Sequence, residues 1–160
     1  MTSGWTAADL ARTHLFRELT AAELSSVESV VSESRHGKGE VILVEDAPAT
    51  FIYIIMDGCV SVQKRTEERS EVVAILEQYD HFGEIAMLDP GPASAAIVAE
   101  EDTWLLRIPH EKLRALMERD TALANKLLWP MATVMARRLR QTGKSLIFAC
   151  SLVEKYRTLA

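Results

Sequence analysis

Cysteine and histidine are sparse in this chain, and each shortage removes a class of function. Cys59 and Cys150 are the two cysteines of 160 residues, far apart and without metal-ligand spacing, so neither a disulfide framework nor a zinc site is expected. The histidines, His14, His36, His81 and His110, show neither an H-x-H nor an H-x-x-x-H spacing, which argues against metal-dependent jelly-roll enzymes and predicts no metal. No Ser-His-Asp or paired-carboxylate pattern emerges, and no catalytic activity is expected. No apolar stretch approaches the length of a bilayer span, and the first residues lack the charged start and apolar run of a signal peptide. The expectation is a soluble, cytoplasmic protein that does not enter a membrane. A net charge of -5 offers no overall attraction to nucleic acid or to anionic lipid.

What is present is a pattern that changes period twice. Thr6 with Asp9, and Thr20 with Glu23, have the spacing of helix N-caps. After the second pair, Leu24, Val27, Val30 and Val31 recur at helical intervals and predict a helix ending near Ser34. Past Gly37-Lys38-Gly39-Glu40, dense β-branched runs predict strands at 41–44, 51–56, 59–64, 72–76, 95–99 and 103–108, which read as a sandwich or jelly roll. Asp57-Gly58 reads as a two-residue hairpin turn with both residues at positive φ, and Thr66 to Ser70 as a solvated loop. Pro109 suits a helix entry followed by the stripe Leu113, Leu116 and Met117. From Thr121 a longer helix carries Leu123, Leu127, Met131 and Val134, with Pro130 predicting a kink or break and Gly143 a stop. Arg137, Arg138, Arg140 and Lys144 then read as cations favoured near that helix's C-terminus. A last helix over 145–160 would align Leu146, Cys150, Val153 and Tyr156. The whole reads as one domain: helices over 1–35, a β body over 36–108 and helices over 109–160.

The stretch from Tyr79 to Ala99, YDHFGEIAMLDPGPASAAIVA, stands apart from this alternation. Gly83 before the apolar run Ile85 to Leu88 predicts a turn into a short helix, whose leading N–H groups lack internal partners and favour an anion such as phosphate. A carboxylate at Glu84 would repel phosphate and suits a neighbouring hydroxyl, as on a ribose. His81 reads as an exposed or turn-capping side chain, with contact to a ligand anion as its alternative, and Cys59 as a packed core thiol. This stretch resembles the phosphate-binding cassette of the cyclic nucleotide-binding domain family, which includes the catabolite activator protein and the protein kinase A regulatory subunit. Leu15-Phe16, Leu19-Thr20, Glu23-Leu24, the run Lys38 to Ile42, and Ile52 to Ile55 with Gly58 follow in the family's order and spacing.

The resemblance implies a mainly β fold with flanking helices. Its β jelly roll (double-stranded β-helix) would carry N-terminal helices and a long C-terminal helix that lids the pocket and commonly pairs with its twin. It implies a non-catalytic module that senses a small-molecule ligand, cAMP or cGMP, and signals through movement of the C-terminal helix. The ligand would meet Phe82, Gly83, Glu84, Ile85, Ala86, Pro92, Ala93, Ser94 and Ala95, within a cassette at 82–95. A homodimer would use Leu127, Met131 and Val134. Transcription factors of the family continue into a helix-turn-helix domain; the residues after Gly143 are too few for one, so no specific DNA binding is expected.

Three positions depart from the family pattern. Asp46 and Tyr79 replace turn glycines, which predicts a different loop path. Ala93 replaces the arginine that grips phosphate with two charge-assisted hydrogen bonds, and alanine offers neither charge nor donor. Weak binding of cyclic nucleotides follows, unless His81 or an arginine of the 65–69 loop supplies the donor. The alternative is a degenerate member that serves as a dimerisation or docking scaffold.

Overall fold

Thr6 and Thr20 each accept the backbone N–H three residues on, while Asp9 and Glu23 reach back to the cap N–H, so both reciprocal boxes close. They start α1 (Ala7–Arg12) and α2 (Ala21–Glu28). In this computed structural model, which describes residues 4–158, the chain forms two compact units, Met1–Leu127 and Leu128–Ala160. α2 stops at Glu28 rather than near Ser34, because β1 (Ser32–His36) pairs antiparallel with the later strand Thr103–Pro109. That tertiary pairing overrides the helical spacing of Val30 and Val31.

The remaining strands are β2 (Val41–Leu43), β3 (Phe51–Asp57), β4 (Val60–Arg65), β5 (Ser70–Leu76), β6 (His81–Phe82), β7 (Ala96–Ala99) and β8 (Thr103–Pro109). They form two antiparallel sheets, ordered β1-β8-β3-β6 and β2-β7-β4-β5. Asp57-Gly58 therefore does not close a hairpin. It carries the chain from one sheet to the other, and only Gly58 of the pair has positive φ, 87°. A side chain at Gly58 would meet the Asp102 carbonyl at 2.8 Å. Ile55, Phe82 and Leu105 from one sheet meet Val60, Leu76 and Ile97 from the other in a shared core. On the first sheet, Ile52 pairs with Ile108 and Ile54 with Leu106, all fully buried. These strands read as continuous apolar runs because helices cover their second face, with α3 (Glu84–Leu88) against β3 and α4 (His110–Arg119) against β8.

α5 runs unbroken from Thr121 to Thr158, through Pro130 and past Gly143. Neither the break at Pro130 nor the stop at Gly143 occurs, and 145–158 continue the same helix. Asp120 starts it, accepting the N–H groups of Ala122 and Leu123 at 3.0 Å. Lys126 ties its first turns to α2 through both oxygens of Glu23, at 2.8 and 2.9 Å. The basic cluster from Arg137 to Lys144 lies within this helix, so its end does not account for those charges. Of the expected seam residues, Leu127 and Met131 are fully buried and Val134 is half-buried, whereas Trp129, Leu139, Leu146, Ile147, Phe148 and Val153 are exposed. The side chain of Tyr156, and residues 159–160, lie outside the described residues. No helix among the described residues is long and apolar enough to cross a membrane.

Candidate functional site

The cassette leaves the first sheet at β6. Phe82 pairs with Tyr53 of β3, and their rings stack at 4.9 Å. Gly83 follows at φ 88°, so close to β3 that a β-carbon would stand 2.4 Å from the Phe51 carbonyl oxygen. The turn delivers Glu84 into α3 with only 1% of its surface exposed. Ala86 and Met87 are buried beside it, while Ile85 and Leu88 face outward. α4 holds this short helix at both ends. His110 Nε2–H donates to the Gly83 carbonyl at 2.9 Å, and one turn later Arg114 donates to the Met87 carbonyl. Burial pushes the His110 pKa down, against the opposing hydrogen bonds to the Gly83 and Phe51 carbonyls, and nearby Arg114 pushes the same way as burial.

The second part, before β7, hangs from the other sheet. Ala93 N–H donates to the Ala47 carbonyl at 2.8 Å, Asp46 N–H donates to the Ala93 carbonyl at 2.9 Å, and Pro92 forms a bridge with Pro48. Ala93 and Ala95 are buried, while Pro92 and Ser94 are exposed. Lys64, near the end of β4, donates from Nζ to the Ser94 carbonyl at 2.5 Å and to Glu45 Oε1 at 2.6 Å. Arg65 N–H donates to Glu45 Oε2 at 2.8 Å. The Lys64 hydrogen bond, then that from Arg65, holds the Glu45 carboxyl below the usual carboxylate range.

The predicted residues thus fall into 82–86, fixed by β3 and α4, and 92–95, fixed by the 45–48 loop and Lys64. Asp46 and Tyr79 both adopt the left-handed conformation open to glycine, at φ 65° and 71°. His81 is not exposed; it is buried in β6 opposite Ile54. The loop arginines face carboxylates instead, Arg65 at 4.0 Å from Asp46 and Arg69 against Glu71. Cys59 is half-buried rather than in the core, and burial followed by nearby Glu101 pushes its thiol up, away from nucleophilic reactivity. Among the described residues no cluster of groups could hold a metal ion. Sequence reasoning missed Lys64, Glu45, His110 and Arg114. Lys64 carried a signal: it continues the alternation of Val60 and Val62, which face the core, so a lysine there is aimed along an inward face.

Residues 33–120, more than half of the chain, match the family model described as cyclic nucleotide-binding domain. The chain is 28% identical over 128 residues to the cAMP-dependent protein kinase regulatory subunit of Mycosarcoma maydis, a match covering 80% of this chain and 23% of that protein. It is 25% identical over 138 residues to the CRP-like cAMP-activated global transcriptional regulator of Mycobacterium tuberculosis, covering 86% and 60%. The match thus spans from about a quarter to three fifths of these relatives. The catabolite activator protein structure from Thermus thermophilus superposes with a TM-score of 0.72 at 27% identity, covering 86% of this chain and 63% of that one. By sequence and by fold, the chain belongs to the cyclic nucleotide-binding domain family.

Proposed function

We propose that this chain is a non-catalytic sensing module whose ligand, a cyclic nucleotide or a close anionic relative, occupies the cassette at 82–95. The observation that carries the reading is Glu84, a carboxylate held almost fully buried at the start of α3 by a glycine that tolerates no side chain. Such a carboxylate suits recognition of ligand hydroxyls. Signalling would pass from α3 to α4 through His110 and Arg114, and from α4 across Asp120 into the first turns of α5. A ligand that binds one arrangement of these helices better than another shifts the population toward it. Calorimetric titration with cAMP and cGMP tests the reading: binding weaker than micromolar in the wild type and lost in Glu84→Ala is expected. Wild-type affinity that survives Glu84→Ala unchanged would exclude the cassette as the site.

A second reading, a dimerisation scaffold without nucleotide, is favoured by Ala93 and by the exposed face of α5. Leu139, Leu146 and Val153 recur at seven-residue spacing and are each more than 60% exposed, an arrangement that suits a paired helix. A second copy of this chain would cover them, with Arg137 and Lys144 on the outer side. Sedimentation of the wild type and of Leu146→Glu checks this; a wild type that is monomeric at micromolar concentration defeats it.

A further inference from the structure

We propose that Lys64 is the cation of this site and takes the negative charge of the ligand in place of the arginine absent at position 93. The inference rests on the cassette being the binding site. Lys64 follows Val60 and Val62 in the alternation of β4 at the strand's exposed end, and its Nζ lies 2.5 Å from the carbonyl of Ser94, the residue next to Ala93. An ammonium has three donors. Two are used, on Ser94 and on Glu45 Oε1 at 2.6 Å, which leaves one for a ligand oxygen. The loop arginines Arg65 and Arg69 face Asp46 and Glu71 instead.

Glu45 sets the strength of this cation. Its second oxygen accepts the Arg65 N–H, so the carboxylate is fixed in place and neutralises Lys64 at short range. An anion must compete with it. The site should therefore prefer phosphate-bearing ligands, bind them weakly, and depend on salt. Glu45→Gln keeps an oxygen for the Arg65 N–H but turns an amide N–H₂ toward Lys64, which frees the ammonium for the ligand.

The test is calorimetric titration of cAMP and cGMP, with adenosine as the probe that lacks phosphate, into the full chain and its variants, each checked for folding by thermal melt. Expected results are at least tenfold weaker cyclic nucleotide binding in Lys64→Ala, near wild-type binding in Lys64→Arg, at least threefold tighter binding in Glu45→Gln, and adenosine binding unchanged throughout. Equal cyclic nucleotide affinity in wild type and Lys64→Ala overturns the proposal, as does a parallel loss of adenosine, which would make Lys64 a support for the loop only. If neither wild type nor Glu45→Gln binds, the proposal falls, and Ala93→Arg then separates it from the reading beneath it. Binding restored by Ala93→Arg leaves the cassette as the site; no binding removes that reading as well.

Discussion

The two parts of the cassette are built by different means. Residues 82–88 sit against the buried β3–β8 ladder, held by close backbone approach at Gly83 and by two side chains of α4. Residues 92–95 are held from the second sheet by loop hydrogen bonds and by the Glu45–Lys64 pair, of which the lysine side chain is about half exposed. The first part leaves no room for a β-carbon at Gly83. The second part is fixed by exchangeable polar contacts, and there Ala93 stands where the family resemblance implies an arginine. The side chain at position 93 can vary because the scaffold holds this residue through its backbone N–H and carbonyl.

The largest effect should come from the first part. Gly83→Ala puts a β-carbon 2.4 Å from the Phe51 oxygen at a left-handed φ. A loss of about 2–5 kcal/mol is expected, combining roughly 1–2 for the conformation and 1–3 for the overlap. Urea denaturation measures it, and a loss under about 0.5 kcal/mol would mean that the turn relaxes freely.

The same comparison can be made with one cation from each part. Arg114→Met leaves the buried Met87 carbonyl without its charged donor and should cost about 1–2 kcal/mol, the low end for such bonds because the guanidinium is exposed. Lys64→Met breaks a more solvated pair and should cost less than about 1 kcal/mol. Equal losses would show that the two parts share one degree of fixation.

Acid should loosen the parts in sequence. Burial holds the folded His110 pKa below its ordinary 6.5, so above that pH both folded and unfolded states keep it neutral and its contribution is complete. As pH falls below 6.5 the unfolded chain takes the proton first, and stability is lost until the folded pKa is passed. Glu45 behaves at lower pH: its stabilisation is whole above 4.5 and disappears as pH falls through its depressed folded pKa. Urea melts across pH 4–7 should therefore show an upper window of loss that His110→Gln removes, since glutamine retains a donor and does not titrate. An upper window that persists in His110→Gln assigns the effect elsewhere.

Much of the fold was legible because local chemistry and tertiary structure agree. The two capping boxes form as their threonines and acids dictate, and six strands fall close to their apolar runs. β1 was hidden because Ser32 to His36 is polar, and its strand character exists only through pairing with β8. Asp57-Gly58 signalled a turn correctly, but nothing local says whether a turn joins two strands of one sheet or passes between sheets. Gly143 did not end α5, since an isolated glycine costs a helix only about 1 kcal/mol. Within the site, the placement of Gly83 at a forced turn followed from its neighbours, whereas His110, Arg114, Lys64 and Glu45 arrive from elements distant in sequence. Only strand alternation hinted at Lys64.

The smallest expected effect concerns the turn entering the first part. Tyr79 holds φ 71° where glycine would be unstrained, and its N–H donates to the Ile55 carbonyl at 2.7 Å, which fixes that conformation. A residue bearing a β-carbon pays roughly 1–2 kcal/mol there, while glycine loses roughly 0.5–1 kcal/mol more backbone entropy on folding. The Arg12 guanidinium lies 5.5 Å from the centre of the Tyr79 ring, an attraction of about 0.5–1 kcal/mol that either small residue forfeits. Tyr79→Gly should therefore stay within about 1 kcal/mol of wild type, since relief of strain offsets the other two losses. Tyr79→Ala keeps the strain and loses the ring, so it should be less stable than Tyr79→Gly by about 0.5–1 kcal/mol, the reverse of the usual order of alanine and glycine. Paired urea melts decide it. Alanine as stable as glycine at this position would mean that the backbone leaves the left-handed region once the ring is gone, and that the Ile55 hydrogen bond does not hold the turn.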